Sequence, residues 1–581
     1  MYARFYRWAS DRLGDEGVLA FVTNRSFIES RTFDGFRKLV AKDFQEIWLV
    51  DMGGDVRANP KLSGTKHNVF GIQTGVAIAF LVRKKVKGPS TIRYVRRPED
   101  ETAEDKLGWL NGAEIESLEF DRVKPAENGD WLNQIEQGSW STYLPIADAA
   151  TKSATDSKRE RAIFKFYTLG IVTARDEWVY GWSDDELNDR LPWFIERYEA
   201  ERTRLASVDK RLRREAITES EIKLTRALKN DLAANVAYEF DSSRNRGSLY
   251  RPFTKKRLHF WPRLNEMPYR TIEGWPRSDV TNAAICFLCG SRLDFAAIAA
   301  DEVPSYSLMS LDPNQCLTRY RYTKSGERID NITDWGLKQF RAHYGKSSPG
   351  GGGEPRSGGG GPNKDAREGA QPLSRLSSAA PPSVSPSGLP PPPKGEDLRI
   401  TKDAIFAYCY AVLHDPLYRE KYALNLKREF PRIPFYPDFA QWAAWGEALM
   451  ALHIGYEAVA PWPVERVETP ARRAEGTHPT PVLKSLPEQG SVTIDADTQI
   501  TGIPPEAWTY RLGNRSAIDW VLDQHKEKKP RDPTIAAKFN TYRFADYKES
   551  MIELLARVVR VSVETVAITE AMKGLDRSRW E

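Results

Sequence analysis

The sequence predicts an open α/β sheet of which only part is present, followed by a larger α+β region. Three observations predict it. Helical and strand-like patterns alternate over residues 1–86. From about 90 to 345 short strand signals mix with a charged helical stretch, and beyond 398 the pattern turns helical and aromatic-rich. At 581 residues the chain is also too long for one ordinary domain.

Taken in order, Tyr2, Phe5, Tyr6, Ala9 and Leu13 recur at helical spacing, and Gly14 is placed to stop that helix. Residues 17–23 form a continuous apolar run of strand length, as in a parallel sheet buried on both faces. Ser26 is positioned to cap a helix carrying Phe27, Phe33, Phe36, Leu39 and Val40. Residues 46–51 and 75–82 read as two further strands joined by a glycine-bearing loop. This is half of an open sheet, beginning in mid-motif with a helix that has no preceding strand to pack on. Further along, 171–173 and 284–288 read as short strands and 184–234 as charged helix. The Gly-, Pro- and Ser-rich residues 346–398 cannot bury enough apolar surface to offset chain entropy, which predicts a disordered insertion. Helices are expected across 401–460, a hairpin at 492–501, and helices near 514–527 and 544–559. The resulting division is 1–90 for the partial sheet, 91–160 for a connector, then 161–345, the insertion, and 399–581.

Composition narrows the class. Hydrophobic residues at 40% and charged residues at 28% describe a globular protein, neither membrane-bound nor largely disordered. No apolar run approaches the roughly 20 residues of a membrane-spanning helix, and the N-terminus lacks the pattern of a signal peptide. Four cysteines argue against a disulfide framework and for the cytoplasm. A net charge of +5 is too mild to establish a polyanionic partner, so its distribution must decide.

The clearest chemical signal is residues 244–263, RNRGSLYRPFTKKRLHFWPR, which contain no acid and interleave cations with aromatics. Arg246, Arg251, Lys255, Lys256 and Arg257 suit phosphate neutralisation, and Arg, Asn and His can read base edges or stack. The equally weighted alternative is a solvated strand pair whose aromatics face the core. A second basic-aromatic run, 418–436, carries Arg419, Lys427 and Arg428, but its two glutamates favour an ordinary amphipathic helix as much. In a third, Arg511 and Arg515 flank Asn514, which is placed to cap the next helix, and such an N-terminal turn suits phosphate.

Other motifs are decoys. Residues 50–55, VDMGGD, follow a strand yet lack the Gly-x-Gly spacing of a nucleotide loop. Asn24-Arg25-Ser26-Phe27 ends a strand, where α/β enzymes place chemistry, but is not the Asn/Asp-Pro-Pro-Tyr/Phe turn that binds a target amino group. Cys286 and Cys289 are spaced C-x-x-C without a second pair to complete zinc. Glu221 and Lys223 match a nuclease E-x-K fragment, in a stretch read as helical. His414-Asp415 and His453 have no evident nucleophile nearby.

Read together, several strings resemble one family, the type ISP restriction-modification enzymes. They include Tyr2-Ala3-Arg4-Phe5, residues 17–27 and 51–57, Ser248-Leu249-Tyr250-Arg251-Pro252-Phe253, Asp330-Asn331-Ile332-Thr333-Asp334-Trp335, residues 405–410, Leu413-His414-Asp415-Pro416, residues 425–434 and residues 510–517. The resemblance covers nearly the whole chain outside the insertion. It implies a Rossmann-like adenine-N6 methyltransferase sheet, present here as its C-terminal half, and then an α+β target-recognition domain gripping duplex DNA. The complete enzyme would use S-adenosylmethionine and flip the target adenine. This chain alone is expected to bind no cofactor, because the glycine loop and the Asn-Pro-Pro-Tyr turn are missing. Met1 falls just after that turn's expected position, so the resemblance implies an N-terminal partner polypeptide carrying methyltransferase, helicase-like and nuclease parts, or a truncated or mis-started gene. The alternative is a stand-alone specificity subunit without catalysis. Residues 69–76 resemble the loop whose Phe packs on the flipped base, which makes Phe70 the candidate stacking residue; its other reading is a loop aromatic closing the sheet edge.

Overall fold

The structure, a computed structural model, describes residues 2–55, 65–86, 88–126, 129–132, 138–219, 221–267, 269–290, 293–345, 400–471, 474 and 476–575. The expected insertion at 346–398 lies outside them. The chain divides into two compact units, Met1–Glu136 and Gln137–Glu581.

In the first unit, helix α1 (Tyr2–Ser10) precedes strand β1 (Gly17–Asn24), then come α2 (Asp34–Asp43), β2 (Glu46–Gly53), β3 (Val76–Arg83), β4 (Thr91–Arg96), α3 (Ala103–Asn111) and β5 (Asp121–Val123). The sheet order is β1-β3-β2-β4-β5. Only β2 and β4 run parallel; the other neighbours are antiparallel. The residues expected to be connector, from 91, therefore extend this sheet as β4 and β5. β1 is not the doubly buried parallel strand expected. It lies at the sheet edge, antiparallel to β3, and its exposure alternates, with Val18 61% and Val22 52% exposed. Leu19 and Phe21 face inward, the Phe21 ring 4.8 Å from that of Tyr6. The single helix expected from Ser26 is also broken: a short turn, Ser26–Glu29, ends at an extended Ser30 before α2 begins.

Two buried arginines brace this unit. Arg37 on α2 donates to the carbonyls of Gly129 (2.8 Å), Phe27 (3.0 Å) and Ser30 (2.7 Å) and pairs with Asp130 at 2.6 Å. Asp51, fully buried at the end of β2, accepts from Arg25 Nε (2.9 Å) and Nη2 (2.8 Å), the Tyr94 hydroxyl (2.7 Å) and the Gly53 amide (2.9 Å). That cluster ties together the ends of β1, β2 and β4.

Among the described residues, the second unit is built on three sheets of three or four strands, several two-stranded ladders and a helical layer. One sheet has the order β11-β7-β8-β6, from β6 (Tyr180–Gly181), β7 (Asn245–Arg251), β8 (Thr254–His259) and β11 (Val303–Pro304). A second, β10-β9-β12, joins β9 (Ala284–Leu288), β10 (Ala297–Ala300) and β12 (Asn314–Thr318), and β9 and β10 are buried throughout. The third, β13-β16-β15-β14, comprises β13 (Glu465–Glu468), β14 (Pro481–Leu486), β15 (Ser491–Asp495) and β16 (Thr498–Thr501). The expected strand at 171–173 makes only single bridges, Ile171 to Ser305 and Val172 to Met267. The charged stretch 184–234 is two helices, α4 (Asp184–Ala206) and α5 (Arg226–Ala233), so Glu221 and Lys223 lie between helices rather than in one.

Helices α6 (Asp334–Tyr344), α7 (Lys402–Val412), α8 (Phe439–Ile454), α9 (Ala517–His525) and α10 (Phe544–Lys573) complete the unit. Thr333 and Thr401 cap α6 and α7 through their hydroxyls. Gly446 on α8 permits a very close approach to α7: a Cβ there would stand 1.8 Å from the Ala407 carbonyl oxygen. Residues on either side of the insertion share one core. Leu144–Pro145 pairs with Arg432–Ile433, and Trp178 donates to Asp532 at 2.8 Å.

A buried charge stripped of its partner is strongly destabilising. Asp51→Ala is expected to cost about 3–5 kcal/mol in denaturant unfolding, and Arg25→Met combined with Asp51→Leu to recover much of it. A single-variant loss below about 1 kcal/mol would contradict this role.

Candidate nucleic-acid interface

The basic window 244–263 forms the β7–β8 hairpin and its exit, and its cations meet different fates. Arg246 is buried and donates to the carbonyls of Arg277 (2.7 Å) and Val280 (2.9 Å); burial lowers its pKa to about 10. It holds the 275–280 segment in place and is not presented to a phosphate. Arg251 donates to Tyr250 O at 2.6 Å and lies 4.1 Å over the Tyr250 ring. Lys255 sits between Asp301 (3.5 Å) and Glu457 (3.4 Å); burial opposes its charge, but these carboxylates outweigh burial and raise its pKa. Lys256 is held over the rings of Trp182 (4.5 Å) and Tyr250 (4.8 Å), and burial lowers its pKa to about 8. Arg257 pairs with Asp184 at 2.8 Å.

The fold thus brings Arg251, Lys255, Lys256 and Arg257 onto one hairpin and directs Arg246 inward. The neutralising acids Asp184, Asp301 and Glu457 all come from outside the window, as does Glu302, whose carboxylate fills the space beside Gly247. A cavity of about 320 Å³ opens beside the hairpin, lined by Trp182, Lys255, Glu457, His525, Tyr547 and Arg557 among others.

The other sequence candidates stand on separate elements. Arg419 donates to Leu413 O at 2.6 Å beside the Phe295 ring, and burial lowers its pKa. Lys427 pairs with Asp294 at 2.9 Å, and Arg428 closes the short helix Ala423–Arg428. Arg511 is exposed and donates to Asn514 O, while Arg515 pairs with Asp523 at 2.9 Å. The cap of α9 is Ser516, whose hydroxyl accepts from the Asp519 amide at 3.1 Å, and not Asn514. Ser516 wins because its own extended backbone sits at the helix boundary.

In the first unit, Phe70 is 63% exposed on a loop held by one buried side chain. The Asn68 carboxamide donates to Gly54 O (3.0 Å) and Thr74 O (2.7 Å) and accepts from the amides of Phe70 (2.9 Å) and Ile72 (3.3 Å). The neighbouring glycines serve this packing. Gly54 has φ +74°, and a Cβ on it would stand 2.6 Å from His67 O. Sequence reasoning named Phe70 but missed Asn68, because a single asparagine in a loop carries no pattern.

Cys286 is buried in β9, with its sulfur 3.5 Å from that of Cys316 on β12, and both are free thiols. Glu221 pairs with Arg197 at 2.6 Å. Among the described residues no group of three or more His, Cys, Asp or Glu side chains could hold a metal, and no helix is long and apolar enough to cross a membrane.

The profile of the Type ISP C-terminal specificity domain matches residues 162–554, and the chain belongs to that family. Among solved structures it is similar over 99% of its length to a chain of the cryoEM DrdV-DNA complex, at 42% identity and TM-score 0.81, covering 52% of that chain. It is similar over 98% of its length to a nuclease-deletion mutant of the Type ISP restriction-modification enzyme LlaGI in complex with a DNA substrate mimic. That likeness has 26% identity and TM-score 0.72 and covers 47% of the LlaGI chain. The ATP-dependent Type ISP restriction-modification enzyme LlaBIII bound to DNA shares the fold, at 22% identity and TM-score 0.71, with 99% of this chain and 34% of that one covered. The chain therefore spans about half the length of the DrdV and LlaGI chains. No curated protein matches it.

The buried histidines of the second unit set a pH dependence. Burial lowers His259 to about 4 and His453 to about 3, and His414 also falls well below its ordinary range. Unfolding returns each to about 6.5, so below that pH the unfolded state binds more protons. Their contribution is complete above about pH 6.5 and is lost as pH falls toward 4, with a slope of up to roughly 1.4 kcal/mol per pH unit for each histidine. Denaturant titrations at pH 7 and pH 5 check this; equal stability at both would contradict it.

Proposed function

We propose that this chain supplies sequence-specific duplex DNA recognition within a restriction-modification enzyme. The observation that carries the reading is the specificity-domain match over 162–554, together with 42% identity across 99% of the chain to a protein solved as a DNA complex. Arg251, Lys255, Lys256 and Arg257 are the hairpin's candidates for base-proximal contacts. For Lys255 to reach a phosphate it must exchange Asp301 and Glu457 for it, so binding there would be a partner swap rather than the filling of an empty site. Lys427 and Arg515, each held by a carboxylate, stand as secondary candidates on the same terms, with Arg428 and Arg511 beside them, whereas Arg419, buried and donating to Leu413 O, is placed as a brace like Arg246.

The first unit we read as the C-terminal half of an adenine-N6 methyltransferase sheet. Its support is the edge strand β1, whose outward Val18 and Val22 leave apolar surface suited to a further layer of a partner polypeptide. Phe70, displayed by the Asn68-held loop, would stack on a flipped adenine. S-adenosylmethionine is the donor for a complete enzyme, but the described residues do not fit it. Asp51 is consumed by Arg25, Tyr94 and the Gly53 amide, and Gly54 is packed against His67 and Asn68, so no step through the cofactor is derived for this chain.

Purified chain is expected to bind duplex DNA with an affinity that falls steeply with salt and to transfer no labelled methyl group from S-adenosylmethionine. Adding an N-terminal polypeptide that carries the Asn-Pro-Pro-Tyr turn should establish transfer, and Phe70→Ala should reduce it. Salt-independent binding in anisotropy titrations, or methylation by the chain alone, would overturn the reading.

A further inference from the structure

The hairpin cations are paired within the protein, so the cations without internal partners become informative. Helix α4 ends at Ala206, and residues 209–216 form an exposed helical turn in which the amides of Leu212 and Arg213 donate to Asp209 O at 2.9 and 3.1 Å. The turn is fixed to the body. Arg213 Nε donates to Val208 O at 3.1 Å, and Arg214 Nη1 donates to Asn230 Oδ1 of α5 at 2.6 Å. Its outer side carries Lys210 and Arg211, and Leu212 is 55% exposed beside them.

A second loop reaches the same part of the surface from far along the chain. The amides of Arg531 and Asp532 donate to the two oxygens of Glu177, each at 2.8 Å, and the Thr534 hydroxyl donates to Glu221 O at 2.6 Å. The segment 221–230 thus receives the turn at Asn230 and, at Glu221, the chain just after the second loop. Apart from Glu215, which is exposed on the turn itself, the nearby acids are already engaged. Asp209 accepts the Arg211 amide (2.9 Å), Glu219 pairs with Lys229 (2.5 Å), Glu527 accepts the Phe544 amide (2.8 Å) and Asp532 accepts from Trp178 (2.8 Å). Among the described residues, the side chains of Lys210, Arg211, Arg226, Lys529 and Arg531 are exposed and have no hydrogen-bond or ion-pair partner.

We propose that the turn 209–214, the start of α5 and the loop 526–531 form a phosphate-tracking face for duplex DNA. The inference rests on the DNA-recognition reading above and adds a surface outside the β7–β8 hairpin. Unlike Lys255 or Arg257, these cations need break no ion pair to meet a phosphate, and each such contact releases condensed counterions. Leu212 adds apolar area suited to the sugar rings between phosphates. Contacts of this kind position the duplex and carry no sequence information.

The test is a salt series of duplex binding by the full chain, comparing Lys210→Ala/Arg211→Ala and Lys529→Ala/Arg531→Ala with wild type. A control variant, Lys324→Ala/Lys338→Ala, removes the same charge from exposed positions elsewhere. Each face variant is expected to keep wild-type thermal stability, to weaken binding alike on unrelated duplexes, and to lower the log-log salt slope by roughly 0.9 unit per lost contact. The control should leave the slope unchanged. Wild-type chain that fails to bind duplex DNA would remove the underlying reading. Binding with an unchanged slope in both face variants, or an equal change in the control, would overturn the proposed face.

Discussion

At the corner of the β7–β8 hairpin, the ring of Phe253 joins two lengths of chain that are far apart in sequence. Its φ of +55° places a non-glycine residue in the left-handed region, at a cost of roughly 1–2 kcal/mol. The ring is fully buried against Tyr456 (5.3 Å), Tyr510 (6.3 Å) and His453 (6.4 Å), and burying it is worth roughly 1.5–3 kcal/mol. Ring burial thus offsets the strained corner. His453 continues the chain of contacts, hydrogen-bonding the Tyr410 hydroxyl at 2.5 Å on α7 and Thr565 at 2.9 Å on α10. Residues before and after the 346–399 segment therefore belong to one contiguous core.

That packing determines how the basic hairpin handles its charge. Drawing Phe253 inward brings Lys255 and Lys256 to the boundary of the core, where an unpaired cation is costly. Asp301 and Glu457, one from each side of the 346–399 segment, neutralise Lys255, and aromatic faces receive Lys256. Arg246 spends its donors on carbonyls for the same reason. Lys210 and Arg211 on the turn 209–214 and Lys529 and Arg531 on the loop 526–531 are among the cations the fold does not use as braces, at exposed positions where desolvation exerts no such pressure.

Local pattern made much of the fold legible. Helical spacing marked Tyr2–Ser10, and apolar runs marked Gly17–Asn24, Glu46–Gly53, Val76–Arg83 and Ala284–Leu288. The hairpin at Ser491–Thr501 and the helix Ala517–His525 also lie where periodicity put them, and the last helix starts where expected but runs on from 559 to Lys573. What failed depended on partners distant in sequence. An apolar run cannot say whether its strand is central or at an edge, so β1 was misread. The acid-free window 244–263 looked unpaired because Asp184, Asp301 and Glu457 lie outside it. Its alternative reading, a solvated strand pair whose aromatics face the core, does not describe Arg246 and Lys256, which burial itself shifts. Family membership was legible in long ordered strings, whereas the Asn68 bracket and the Ser516 cap needed coordinates.

The most direct test of a shared core is amide hydrogen exchange, followed segment by segment, in a Phe253→Gly variant. Glycine tolerates the left-handed corner without strain, so destabilisation beyond the roughly 0.5–1 kcal/mol of its extra chain entropy reports loss of the ring. A single core predicts that β7–β8 and the distant helices α7 and α8 lose protection together, by a similar amount of roughly 2–4 kcal/mol. Loss confined to residues 245–259, with 402–454 as protected as in the wild type, would show that the two stretches fold independently and would contradict it.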